Sequence, residues 1–168
     1  MQLDRKGVAK FRDGYSWEGV EELVYKQDGE VSFKDISRQI LHRDSSLSCE
    51  LRFFDIKPGG YSTFERHEHV HAVMILHGAG KCLVGDEVRD VGAYDLVTVP
   101  SMTWHQFRAA ADRPMGFLCM VNVDRDRPQV PTEKELEELR ANPEIAAFLD
   151  WSGQALNSSA ELSGKVFS

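Results

Sequence analysis

The sequence predicts an all-β chain, a barrel or sandwich finished by short C-terminal helices, and three observations carry that expectation. Short apolar runs recur at near-regular spacing from about residue 31, punctuated by Gly, Pro and Asp, which is the pattern of many short antiparallel strands. With 42% hydrophobic and 28% charged residues, the chain has enough apolar material for an ordinary packed core, and 168 residues suit one domain with peripheral segments. A helical period sets in only after Pro128.

Residues 1–30 are polar and mixed, with Trp17, Val20, Leu23 and Val24 expected to dock as a short arm. The barrel is expected over residues 31–125. Leu47, Cys49, Leu51 and Phe53 alternate with Ser48, Glu50 and Arg52, the period of a half-buried strand. Pro58-Gly59-Gly60 is expected to turn the chain, and Gly78-Ala79-Gly80 to break the apolar run that begins at Ala72. Lys81–Val84 and Glu87–Val91 flank Gly85-Asp86, a tight hairpin in which the order is not the favoured Asp-Gly. Residues 91–95 form another turn, Leu96–Val99 a strand stopped by Pro100, and His105–Ala109 and Met115–Val123 the last strands.

A helical segment is expected over 126–151. Thr132-Glu133-Lys134-Glu135 has the form of a capping box, with Leu136 and Leu139 as the apolar stripe behind it. Asn142-Pro143 opens a second helix whose buried side is Ile145, Phe148 and Leu149. Residues 152–168 are small and polar and are expected to be mobile.

The net charge of −7 disfavours a nucleic-acid partner, which would call for a basic face, but leaves local Arg and Lys for a small anionic substrate. Cys49, Cys82 and Cys119 are widely spaced and odd in number, so neither a disulfide framework nor a CxxC metal site is indicated. No apolar run reaches the length of a membrane span, and the charged N-terminus has no signal-peptide core. A cytoplasmic setting is the expectation.

The stretch Glu65-Arg66-His67-Glu68-His69-Val70-His71 holds three of the six histidines. In a strand, Glu65, His67, His69 and His71 would share one face, a bulge or turn adjusting one of them, and His105 follows on a segment that an antiparallel barrel makes a neighbour. Imidazoles with one carboxylate suit a divalent first-row metal; the alternative is a solvated, hydrogen-bonded cluster. His42, in a polar loop, and His77, at a turn before Gly78, are expected to have no such role.

These residues resemble the cupin superfamily. Pro58 to Gly80 resembles its first motif, a Gly-rich turn followed by histidines and a strand ending in Gly. Asp95-Leu96-Val97-Thr98-Val99-Pro100 with His105 resembles its second. The resemblance implies a single-domain double-stranded β-helix barrel with a metal at its mouth, held by Glu65, His67, His71 and His105. His69 then lies beside the ligand set. A competing register uses His67, His69 and His105. Met102 stands where the second motif has a glycine, Tyr94 where a glycine often precedes the aspartate, and Ala109 where asparagine is usual, which bears on loop shape. Four protein ligands leave about two open positions on an octahedral ion, with Mn favoured and Fe, Co, Ni or Zn compatible. The family also suggests a homodimer.

DISRQIL, STFERHEHVHAVMILHGAG, DLVTVPSMTWHQFRA and GFLCMV together resemble a bacterial cupin group that includes methylthioxylulose-phosphate methylsulfurylases, enzymes of methylthioadenosine salvage. That resemblance implies a sugar-phosphate substrate, a metal that binds its ketone and adjacent hydroxyl, and a thiol that takes the methylthio group. Cys119, on one strand face with Phe117 and Val121, would be that thiol, with His69 as its base and glutathione as the outside acceptor. A small core residue is the alternative for Cys119, as it is for Cys49 and Cys82. Arg66, Lys81 and Arg108 are candidate phosphate contacts, against a solvated surface role. An Fe- or Ni-dependent dioxygenase of the quercetinase kind, a sugar-phosphate isomerase and a non-catalytic sugar-binding module are the rival readings.

Overall fold

The computed structural model describes residues 7–25 and 32–151; the tail expected to be mobile, 152–168, lies outside them. Ten strands precede two helices: β1 (Phe11–Arg12), β2 (Ser16–Trp17), β3 (Glu22–Val24), β4 (Lys34–Arg43), β5 (Cys49–Tyr61), β6 (His71–Val84), β7 (Glu87–Gly92), β8 (Leu96–Val99), β9 (His105–Ala109), β10 (Met115–Asn122), α1 (Glu133–Arg140) and α2 (Pro143–Leu149). All pairings among them are antiparallel.

Closure comes from two long strands that each change partners along their length. The first half of β6 pairs with β8 and β10, its second half with β7 and β9. β5 pairs with β4 and β10 and meets β9 at Tyr61. The ring β5–β10–β6–β9 closes on itself, so the barrel buries its central edges. Val73, Ile75, Val99, Phe107, Phe117 and Val121 meet in its core.

The glycine-rich stretches bend strands where the sequence suggested chain reversals. β5 runs through Pro58-Gly59-Gly60, and its register against β4 slips between Lys34↔Tyr61 and Ile36↔Ile56, a bulge instead of a turn. β6 likewise continues through Gly78-Ala79-Gly80. At Gly78 φ is +73° and an added Cβ would stand 1.8 Å from the Pro114 carbonyl oxygen; at Gly80 it would stand 2.1 Å from that of Arg108. Both glycines therefore let neighbouring backbone approach closely. The Gly85-Asp86 hairpin is explained by Gly85 at φ +67° with Asp86 outside the positive region, which suits a type II′ turn with Gly first.

Tyr94 and Met102, both expected to disturb loops, keep the glycine-like backbone: φ is +74° and +55°. The Met102 amide donates to the His67 carbonyl at 2.7 Å, tying that loop to the histidine segment.

The charged alternate residues of β5 are buried, because both faces of the strand are covered. Glu50 and Arg52 turn into the barrel, while Phe53, 1% exposed, is covered by the arm. Trp17 stands edge-on to Phe53 at 5.3 Å, and Tyr15 stacks on His77 at 3.6 Å. The arm also adds an edge strand, β3, to β4. His42 belongs to β4 and is exposed, and His77 lies within β6 with Nε2 3.3 Å from Asp55; neither sits in the loop or turn expected for it.

At the other end Thr132 and Glu135 form the reciprocal capping box, and Asn142 caps α2 with Pro143 at its first position. Ile145 and Phe148 pack on Phe64 and Leu83, with Leu136 and Leu139 alongside. No helix among the described residues is long and apolar enough to cross a membrane.

Two substitutions test this account of the loops. Tyr94→Gly relieves a left-handed conformation at an exposed side chain and should stabilise by roughly 1 kcal/mol. Gly78→Ala should destabilise by at least roughly 1–3 kcal/mol; chemical denaturation of both variants beside wild type reads the opposite signs.

Candidate metal centre

The histidine segment is a clamped loop and not the continuous strand that alternation suggested. Glu65 exchanges backbone hydrogen bonds with His105, at 3.2 and 3.0 Å. That bridge sets their side chains on one face. Arg66 makes a similar bridge with Gln129, donates to Glu135 at 2.9 Å and lies 4.3 Å over Trp104. Bends follow at Glu68 and His69, and His71 opens β6. Asp126 holds the bends by accepting from the amides of Glu68 (2.8 Å) and His69 (3.2 Å) and from the His69 ring at 2.6 Å.

Two triads of donor atoms result, each within 4.8 Å of one another: Glu65, His67 and His105, and His67, His69 and His71. They share His67. Three members of the expected ligand set thus form one triad, and His71 joins through the other, in company with His69. The His67 and His69 rings stack face to face at 3.6 Å, and His71 lies 5.4 Å from His105 between centroids.

The donor chemistry fits a metal. Nδ1 of His67 faces the His69 carbonyl at 2.8 Å, and Nδ1 of His105 faces that of Thr103 at 2.9 Å. A carbonyl accepts only, so these Nδ1 atoms carry the protons and Nε2 keeps the lone pair, the usual arrangement for a ligating imidazole. His71 Nε2 is buried with no hydrogen-bond partner among the described residues, a costly state that an ion would relieve. Burial, followed by the neighbouring rings, holds His71 far below the ordinary imidazole range, and burial outweighs Asp126 in lowering His69. Both are then neutral, the form that binds metal.

Cys119 stands against this centre. On β10 it pairs with Arg52 of β5, is 1% exposed, and its Sγ lies 3.5 Å from His71 Nδ1 and 3.6 Å from Arg52 Nη2. The imidazole in contact with the thiol is therefore that of His71, while Asp126 holds His69. A small cavity opens between Glu65, His71, His105 and Cys119, walled by Phe54, Phe107 and Phe117. Burial pushes the thiol up and Arg52 opposes it. Cys82 is buried in the core, its thiol pushed up by burial to about 11, and Cys49 is half-buried on β5.

Behind Cys119, Glu50 is fully buried and accepts from Arg43 Nε and Arg125 Nη1, both at 2.7 Å, with Arg52 Nε at 3.7 Å. Burial raises this carboxyl, but the guanidiniums of Arg43, Arg125 and Arg52 together hold it below the usual range. The sequence reading missed Asp126, Arg52 and Glu50. Their roles depend on strand register and on a contact spanning 57 positions, which no local pattern carries. The three cations singled out for phosphate are engaged elsewhere: Arg66 as above, Lys81 with Asp90, and Arg108 with Gln106 and the Trp151 carbonyl.

A closed antiparallel barrel with a histidine-rich centre inside it defines a class, and comparison bears this out. A family model described as a cupin domain matches residues 52–121, and the chain belongs to the cupin family. A protein of Rhodospirillum rubrum named 1-methylthio-D-xylulose 5-phosphate methylsulfurylase is 52% identical over 147 residues, 88% of this chain and 94% of its own. A solved cupin 2 conserved barrel protein from Rhodopseudomonas palustris superposes with a TM-score of 0.80 at 52% identity, covering 84% of this chain and 98% of its own. A cupin-2 domain structure from Rhodospirillum rubrum gives 0.77 at 51% identity, covering 87% and 97%.

Two measurements follow. Elemental analysis should find about one transition metal per chain in wild type and none in a folded His105→Ala, since four-ligand first-row sites depend on each imidazole. Glu50→Gln takes the carboxylate from buried Arg52 and half-buried Arg43 and Arg125 and should destabilise by roughly 3 kcal/mol. Because the folded carboxyl titrates below its unfolded value, this contribution is present above the ordinary carboxylate range. It is lost as pH falls through the folded pKa, so the gap between wild type and variant should close in acid denaturation.

Proposed function

We propose that the protein is a metal-dependent enzyme that removes the methylthio group from 1-methylthioxylulose 5-phosphate, giving 1-deoxyxylulose 5-phosphate with a thiol as acceptor. The observation that carries this reading is the Cys119 thiol, held between His71 and Arg52 beside the histidine centre. The name of the 52% identical relative supports it. Glu65, His67, His71 and His105 would hold the ion, with Mn the favoured metal. When bound, it supplies Lewis-acid polarisation of the substrate ketone and adjacent hydroxyl.

The side chains do the rest. With His71 ligating through Nε2, its Nδ1 carries a proton and donates to sulfur, as Arg52 does from the other side. Two donors on one sulfur favour the thiolate against the burial that opposes it. The thiolate attacks the methylthio sulfur, an S–S bond forms and the C1–S bond breaks. The electron pair stays on C1 in conjugation with the ketone until a proton reaches C1. The proton given up by the Cys119 thiol balances the step: His69, neutral and with Nδ1–H held by Asp126, takes it up on Nε2 and passes it to C1. The methylthio group now sits on Cys119 as a mixed disulfide, and an outside thiol such as glutathione removes it by exchange, restoring Cys119. The phenylalanine walls keep water from the carbanionic carbon.

Cys119→Ser should abolish turnover of the methylthio sugar while metal content stays at the wild-type level. In wild type, intact-mass analysis after substrate without glutathione should show a methylthio adduct on Cys119 that glutathione removes. Unchanged turnover in Cys119→Ser would overturn the scheme, and O₂ uptake independent of Cys119 would favour the dioxygenase reading.

A further inference from the structure

The inward faces of β4, β5 and β10 carry more positive charge than their acids balance. In the register, Ile40 and Cys119 both lie opposite Arg52, and Arg38 and Phe117 both lie opposite Phe54. Opposite residues share a face, as do positions two apart, so Arg38, Arg52 and Cys119 look the same way. Arg125, just after β10, reaches this face through Glu50. Four guanidiniums, those of Arg38, Arg43, Arg52 and Arg125, thus gather around the single carboxylate of Glu50.

Glu50 does not reach them equally. Arg43 and Arg125 make short bonds to it. Arg52, 7% exposed, has a 3.7 Å ion pair with Glu50 and a bond to the Cys119 thiol, leaving its Nε without a hydrogen bond. Arg38 has neither an ion pair nor a hydrogen bond among the described residues, and its Nε is buried. Burial, then the charge of Arg52, disfavours its protonated form. A buried guanidinium short of acceptors, as at Arg52, and a buried Nε without a partner, as at half-buried Arg38, are costly, and an oxyanion between them would remove that cost. Guanidinium forks match the tetrahedral oxygens of a phosphate in particular.

We propose that Arg38, Arg52 and Arg125 form an oxyanion subsite beside Cys119 that takes the phosphate monoester of the substrate. Naming the phosphate rests on the function proposed above; the excess of guanidiniums does not. A carboxylate of the acceptor thiol is the other source of an oxyanion at this place.

The test is calorimetric titration of the full-length, metal-loaded protein with inorganic phosphate at constant ionic strength, with acetate in parallel. Wild type should bind phosphate. Arg38→Gln should weaken it roughly 10- to 100-fold, the worth of a charged hydrogen bond, with metal content unchanged. Arg38→Lys, which keeps the charge and guards against a folding defect, should fall between. Cys119→Ser should bind phosphate like wild type, so the subsite stands even if the sulfur reaction fails. Acetate binding as tightly as phosphate with the same Arg38 dependence would keep the subsite and assign it to a carboxylate. Wild type that binds no phosphate, or Arg38→Gln that binds it like wild type, would overturn the proposal. So would phosphate binding lost in His105→Ala but kept in Arg38→Gln, which would put the anion on the metal.

Discussion

The buried carboxylate of Glu50 is the constraint on which the interior of this barrel depends. Arg43 and Arg125 are bonded to it and Arg52 lies within ion-pair distance. Without an acid at this point, the interior would hold guanidiniums beside a thiol and a group of imidazoles, all competing for scarce solvation. With it, Arg52 can stand over Phe54 at 5.1 Å and still reach Cys119. The network thus fixes where the charged wall ends and where the histidine centre begins.

Strand register converts this wall into a site. β5 lies between β4 and β10, so one strand delivers both Glu50 and Arg52 while its neighbours deliver Arg38 and Cys119. The bends needed for closure fall at glycines that admit a neighbouring carbonyl where a methyl group would not fit. A chain that bends without ending its strands keeps its ladder hydrogen bonds, which explains why β5 and β6 are so long.

Much of this was legible in the sequence, and the exceptions have physical causes. The strands from Leu96 onward, the hairpin at Gly85-Asp86, the capping box at Thr132 and the Asn142 cap are local, set by turn chemistry and period, and the structure matches them. Glycine pairs are ambiguous, since the same residues serve a reversal or a close approach, and only the partner strand decides between them. The alternation of β5 was readable, yet its charged face turned out to be buried, because pattern alone cannot tell solvent from a polar interior. The histidines stood out by density. The pairing of His69 with Asp126 and the meeting of His71 with Cys119 required knowledge of which segments adjoin.

His67 and His105 each have Nδ1 fixed by a carbonyl two residues away in the same segment. Part of the aim of each ring is therefore set within a short peptide. This separates two kinds of inheritance. The segments that carry these histidines can pass intact between relatives whose inner strands diverge, and the wall built from β4, β5 and β10 can change its charge without displacing those backbone contacts. In such a scaffold new chemistry would be expected to arise at positions like Arg38, Arg52 and Cys119, while the centre beside them stays as it was.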